Sequence, residues 1–126
     1  MPERLRVFVD TSVIISGFAS NTGASSVIRD LAEAGLIEMV VSEQVVIEAD
    51  RNIGAKLPGL VGRFREFLKA LGPEIAEEAS AQMVHEVEAW MDRKDAPMMA
   101  SAITAKVAYL VTLDAKDVMT EQTEKT

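Results

Sequence analysis

The 126-residue chain has no cysteine, which removes disulfides, thiol nucleophiles and Cys-ligated zinc from consideration and fits a reducing interior. It has one histidine, His85, alone in a helical stretch, where it reads as a surface or boundary residue and not as a ligand or base. Any metal must therefore be held by oxygen. No run reaches the roughly 18 apolar residues of a membrane span, and Met1-Pro2-Glu3-Arg4-Leu5-Arg6 leads into a strand without an apolar signal segment. These absences predict a cytoplasmic, soluble protein with no membrane partner. Repeats, low-complexity tracts and linkers are also missing, so residues 1–126 are expected to form a single domain, with a polar tail from about Thr120 that frays.

Positive charge is in short supply. The net charge of −7 argues against a nucleic-acid partner, because such partners are held by Lys and Arg neutralising phosphates. The distribution softens the objection. Residues 51–70 carry Arg51, Lys56, Arg63, Arg65 and Lys69 against Glu66 alone, whereas residues 74–92 have six acids and no Lys or Arg. The basic stretch is either a local phosphate contact or a solvated helix face with ordinary charge pairing, and patterning alone favours the latter.

What is present is an alternation of apolar runs and helical patterns. Val7-Phe8-Val9 and Met39-Val40-Val41 read as short buried strands, apolar without alternation, as expected when both sheet faces are covered. A short helical turn is expected from Ser12, and Gly17 to Gly23 reads as a loop. A helix follows with Val27, Ile28, Leu31 and Ala32 at helical spacing, ended by Gly35. Ser42 is the N-cap of the next helix, which carries Val45, Val46 and Ala49 and is expected to fray near Asn52 to Gly54. After the turn Leu57-Pro58-Gly59 comes a helix with Val61, Phe64, Phe67, Leu68 and Leu71 on its apolar side, stopped by Gly72-Pro73. An exposed part of that face could dock a peptide. A third strand is expected within Glu74 to Ala79, a helix over Ala81 to Met91, another from Asp95-Ala96-Pro97 to about Lys106, and a last strand over Ala108 to Thr112. Trp90, the phenylalanines and the methionines Met91, Met98 and Met99 read as core or contact residues. Such alternation implies right-handed crossovers and an α/β fold with a mostly parallel sheet.

Four acids stand where strands end or helices start: Asp10, Glu48, Asp95 and Asp114. Singly, each has a bland explanation. Asp10 and Asp95 could cap helices, Asp95 with proline in the first turn; Glu48 could be solvated; Asp114 could make a turn with Lys116. Their shared location is what those explanations leave out. Ligands of open α/β sheets bind outside the C-terminal tips of the strands, so carboxylates there converge on one crevice. Crowded carboxylates repel unless a cation compensates them. Magnesium or manganese, which take oxygen ligands and keep several waters, would do so, with substrate phosphate completing the shell. Such an ion activates water and stabilises a leaving oxygen, and this points to metal-assisted phosphodiester hydrolysis with the four acids as direct or water-mediated ligands. Thr112, two residues before Asp114 and on the same strand face, could position a water or phosphate oxygen. Thr11 and Ser12 offer hydroxyls too, with helix capping the simpler role, and Asp117 is as readily a surface residue as a peripheral carboxylate.

Other chemistries fit less well. A phosphatase of the haloacid dehalogenase type needs a second Asp two residues after the first, and position 12 is Ser; a receiver domain needs a phospho-accepting Asp after a later strand, and Val41 is followed by Ser42.

The ordered set Val7-Phe8-Val9-Asp10-Thr11-Ser12-Val13-Ile14-Ile15-Ser16-Gly17, Val41-Ser42 with Glu48, Lys94-Asp95-Ala96-Pro97 with Ala100 and Ala102, and Tyr109-Leu110-Val111-Thr112-Leu113-Asp114 resembles the PIN-domain nucleases, and among them the VapC-like toxins of toxin-antitoxin pairs. The resemblance covers roughly residues 5–118 and rests on the ordered set, not on one motif. It implies a three-layer α/β/α sandwich around a parallel sheet, a Mg2+- or Mn2+-dependent ribonuclease acting on RNA, a homodimer, and inhibition by a cognate antitoxin protein. Asp10, Glu48, Asp95 and Asp114 match the family's acidic quartet and Thr112 its hydroxyl residue. The alternative within the same resemblance is a PIN-like module that binds RNA or protein without cutting. The chain runs only a little past Asp114, so the final strand of many relatives is expected to be shortened to Val118-Met119-Thr120 or lost.

Overall fold

Four strands form one sheet in the computed structural model, which describes residues 4–112. They are β1 (Leu5–Val9), β2 (Ile37–Ser42), β3 (Glu74–Ala76) and β4 (Tyr109–Val111). Their spatial order is β3-β2-β1-β4 and every neighbouring pair is parallel, with Val7 facing Met39 across one edge of β1 and Tyr109 across the other. The expected strand at Val118–Thr120, the tail, and Asp114 and Asp117 lie outside the described residues.

Six α-helices connect and cover these strands among the described residues: α1 (Thr11–Ala19), α2 (Ala24–Glu33), α3 (Glu43–Lys56), α4 (Val61–Leu71), α5 (Ala81–Glu88) and α6 (Ala96–Thr104). The path β1 to β2 to β3 steps one way across the sheet, and the connection to β4 returns to the far side of β1. Parallel crossovers are right-handed, so the first two put α1 to α4 on one face and the third puts α5 and α6 on the other. The packing agrees. Val45, Ala49 and Ile53 of α3 and Phe64 of α4 join the main apolar cluster with β1 and β2, while Val87 of α5 and Ala96, Met99 and Ala100 of α6 form a second one. The result is an α/β/α sandwich. Helices on both faces explain why Val7, Phe8 and Val9, like Met39, Val40 and Val41, are all buried in unbroken succession. Each large side chain so enclosed contributes on the order of 1.5–3 kcal/mol of apolar burial.

The structure departs from the sequence expectations in several places. Helix α1 continues through Gly17 to Ala19 where a loop was expected. Gly17 is buried against α2, and a Cβ there would stand 3.4 Å from the Ser25 carbonyl oxygen, so helix packing overrides the weak helix preference of glycine. Helix α3 does not fray at Asn52 but runs to Lys56, anchored by the buried Ile53. The face of α4 is not exposed for docking: Phe64 is fully buried and Phe67, Leu68 and Leu71 pack on the core, with Phe18, Phe64 and Phe67 in mutual ring contact. Trp90, expected in the core, follows α5 in a turn and is 38% exposed.

Candidate active site

The strand order reverses at β1. The crevice outside the tips of β1 and β4 is thus a topological switch point, the place where open α/β sheets bind ligands. A cleft of about 170 Å³ opens there, lined by Asp10, Glu48, Asp95 and Thr112 together with Thr11 and Ser42. Three helices begin at its wall. Asp10 caps α1, Ser42 caps α3 with its hydroxyl accepting from the Val45 amide at 3.1 Å, and Asp95 directly precedes α6. The positive ends of these helices face a space occupied by carboxylates, which partly offsets their mutual repulsion.

Asp10 is the best-held residue of the group. Its amide donates to the Val111 carbonyl at 3.3 Å, which ties the tip of β1 to β4. One carboxylate oxygen, Oδ1, accepts from the Ser12 hydroxyl at 2.7 Å and the Val13 amide at 3.1 Å, and Oδ2 accepts from the Thr112 hydroxyl. The carboxylate is buried and acts only as an acceptor in these bonds. Capping and a site role are therefore not alternatives at Asp10: one oxygen caps α1 while the other is addressed by Thr112. Both Ser12 and Thr112 contribute hydroxyls, as the sequence suggested for Thr112 and treated as the lesser role for Ser12.

Glu48 leans over the cleft from the second turn of α3. Its Oε2 accepts from Thr11 Oγ1 at 3.2 Å, and its Oε1 accepts from Gln44 Nε2 at 3.0 Å, one turn back on the same helix. Asp95 lines the cleft from the opposite face of the sheet and makes no capping bond to the amides of α6, so a simple cap does not account for it. The structure thus brings Asp10, Glu48, Asp95 and Thr112 to one cleft, while Asp114 falls outside the described residues. Among the described residues no three acids stand close enough together to share one ion. The carboxylates and hydroxyls that line the cleft are nevertheless oxygen donors, the kind that suits Mg2+ or Mn2+.

Sequence reasoning missed three further lining residues: Gln44, Lys94 and Met98. Gln44 was within reach, since it stands four positions before Glu48 on a helix. Lys94 belonged to a motif segment but carried no assigned role, and Met98 had been read as packing. No helix among the described residues is long and apolar enough to cross a membrane.

Comparison with known proteins agrees with this fold. No curated protein matches the chain by sequence. Among solved structures, it is similar to the Mycobacterium tuberculosis toxin VapC20, described as cleaving the Sarcin-Ricin loop, with a TM-score of 0.62 over 87% of this chain and 91% of that one at 13% identity. That likeness concerns the fold. The family model described as PIN domain matches residues 6–116, from the first residue after the start of β1 to two residues past Asp114. The chain belongs to the PIN domain family.

Proposed function

We propose that the protein is a metal-dependent endoribonuclease that hydrolyses phosphodiester bonds of RNA and serves as the toxin of a toxin-antitoxin pair. The observation that carries this reading is the convergence of Asp10, Glu48, Asp95 and Thr112 on the switch-point cleft of a PIN domain. The likeness to a toxin described as cleaving the Sarcin-Ricin loop supports the substrate class. Asp10, Glu48, Asp95 and, from its place in the sequence, Asp114 would hold Mg2+ or Mn2+. Such an ion supplies an activated water and charge stabilisation at the phosphate.

The chain's own residues do the positioning. Thr112, Ser12 and the Val13 amide fix both oxygens of Asp10, so its carboxylate needs little reordering when substrate arrives. Thr11 and Gln44 orient Glu48 in the same way. Among the described residues Lys94 is the cation lining a cleft otherwise rich in carboxylates, and its ammonium offers a phosphate one attractive contact against that repulsion.

The test is cleavage of a labelled RNA pool by purified protein with Mg2+, Mn2+ or EDTA, beside Asp10→Asn. Cutting in the metal lanes alone, reduced at least about 100-fold by Asp10→Asn with an unchanged circular dichroism spectrum, is the expected result. Cutting that survives either EDTA or the substitution overturns the mechanism. RNA binding without turnover, unaffected by EDTA, would instead identify a non-cutting module.

A further inference from the structure

A second pocket, of about 350 Å³, adjoins the cleft and shares Ser42, Gln44 and Glu48 with it. Helix α3 is the common wall. Gln44, Ile47, Glu48 and Arg51 recur at spacings of three and four, so one face of the helix runs from the cleft into this pocket. The two spaces are therefore consecutive stations along one helix and not separate sites.

The chemistry of the second station differs from that of the first. Ile47 on α3, Val84 on α5 and Pro97 on α6 give it apolar walls from three elements, and Ile47 is 48% exposed although nothing in the core requires it there. Arg51 stands at its α3 side with no hydrogen bond or ion pair among the described residues, unlike Arg4, Arg6, Arg29, Arg65 and Arg93. It is also the first residue of the basic stretch 51–70. Glu43 and Glu78 line the pocket as well. Carboxylates repel phosphate but accept from the amino and imino groups of a base edge. The volume lies in the ordinary range of small-ligand pockets, roughly 300–1,000 Å³.

We propose that this pocket is a nucleobase subsite: it receives the base of the RNA nucleotide next to the scissile bond, between Ile47, Val84 and Pro97, and Arg51 holds the phosphate that follows. A flat base finds apolar contact on the walls, as unstacked bases do in other sites, and its amino edge meets Glu43 and Glu78. The carboxylates keep the phosphate from the Glu43 and Glu78 side of the pocket and leave it to Arg51. The inference deepens the nuclease reading, and rests on it for the placement of the scissile bond beside Glu48. It accounts for how so acidic a protein could hold RNA: few phosphate contacts, supplemented by one enclosed base.

Two assays on the full chain separate this inference from the nuclease reading. Binding of a single-stranded RNA pool is measured in EDTA as a function of salt, and cleavage-site preference is read by sequencing products formed with Mg2+. Arg51→Ala is expected to weaken binding to all sequences and to reduce the salt slope by about 0.7, the value of one single-strand phosphate contact. Ile47→Ala is expected to leave that slope unchanged and to flatten the preference at one position beside the cut. Lys106→Asn, which removes the same charge near the opposite end of the sheet at a left-handed residue (φ 56°), should change neither. If wild-type protein cuts but both pocket variants keep the slope and the preference, the subsite is overturned and the nuclease stands. If wild-type protein binds with an Arg51-dependent slope but never cuts, the nuclease reading falls while the phosphate contact remains.

Discussion

Carboxylates gather at both ends of the sheet, but they are answered differently. At the end where the strands begin, two carboxylates have an arginine: Arg4 bonds Glu38 at 2.6 Å, and the Arg6 guanidinium reaches Glu74 at one nitrogen and the Ala105 carbonyl at the other. At the end where the strands finish, the hydrogen bonds of the Asp10 and Glu48 carboxylates among the described residues come from hydroxyls, a backbone amide and a carboxamide. An arginine cancels a carboxylate's charge; a hydroxyl or amide orients it and leaves the charge standing. The first arrangement ties strands together, and the second leaves carboxylate charge available to the proposed cation. The same residue types therefore yield a clasp at one end and a site at the other, according to the donors beside them.

That contrast can be strained from both sides. The largest effect after loss of Asp10 itself is expected from Thr112→Val, which keeps the shape and removes the hydroxyl aimed at Asp10 Oδ2. Losses of about 10–100-fold in metal affinity or turnover are usual when a group orienting a ligand is removed. Titration of cleavage against Mg2+ reads it, and an unchanged curve would mean that Asp10 does not need its hydroxyl partner. Arg6→Ala should act the other way round. Two partly exposed bonds are lost, so stability falls by about 1–2 kcal/mol and Tm by several degrees, with turnover per folded molecule retained. Thermal melts beside the cleavage assay decide it; a loss of turnover with no loss of stability would collapse the distinction between the two ends.

The smallest effect belongs to a third kind of pair. Arg65, on α4, donates from Nε and NH2 to Asp50 on α3 at 2.9 and 3.0 Å, and this bonding holds the Asp50 carboxyl below its ordinary value of 3.8. A depressed carboxylate contributes stability that is fully present above 3.8 and is lost as pH falls through its lowered folded-state value. Arg65→Ala should therefore cost slightly at neutral pH and nothing in strong acid, with the difference shrinking in high salt because the pair is open to solvent. Denaturant melts at pH 7 and in strong acid check both the sign and the salt dependence.

Much of this arrangement was readable from the sequence, for a physical reason. Strands covered on both faces leave unbroken apolar runs, so β1 and β2 were plain, and a parallel strand tip is where an acid such as Asp10 stands out. Ser42 was legible as a cap because capping is local chemistry. What escaped depended on contacts between distant segments. The helical Gly17 is set by α2, the exposure of Trp90 by the course of the chain after α5, and the inward turn of α4 by Phe18. Three members of the proposed acidic quartet line one cleft without standing close enough together to share one ion among the described residues, while the fourth, Asp114, lies outside those residues. The second pocket had no signature at all, because its walls come from α3, the segment after β3, α5 and α6, and no spacing in the sequence relates Ile47 to Val84 or Pro97.

The bond between Thr112 and Asp10 spans 102 positions of chain. During synthesis the amino-terminal half can form β1, β2 and the helices over them while β4 is still unmade, since chains fold from the end that emerges first. Asp10 then caps α1 but has neither the Val111 carbonyl for its amide nor the Thr112 hydroxyl for its carboxylate. Non-local parallel pairing of this kind is also slow to form. For a chain proposed to cut RNA, the order of assembly matters: a nascent fragment that ends before β4 has Asp10 but not the strand that completes its setting.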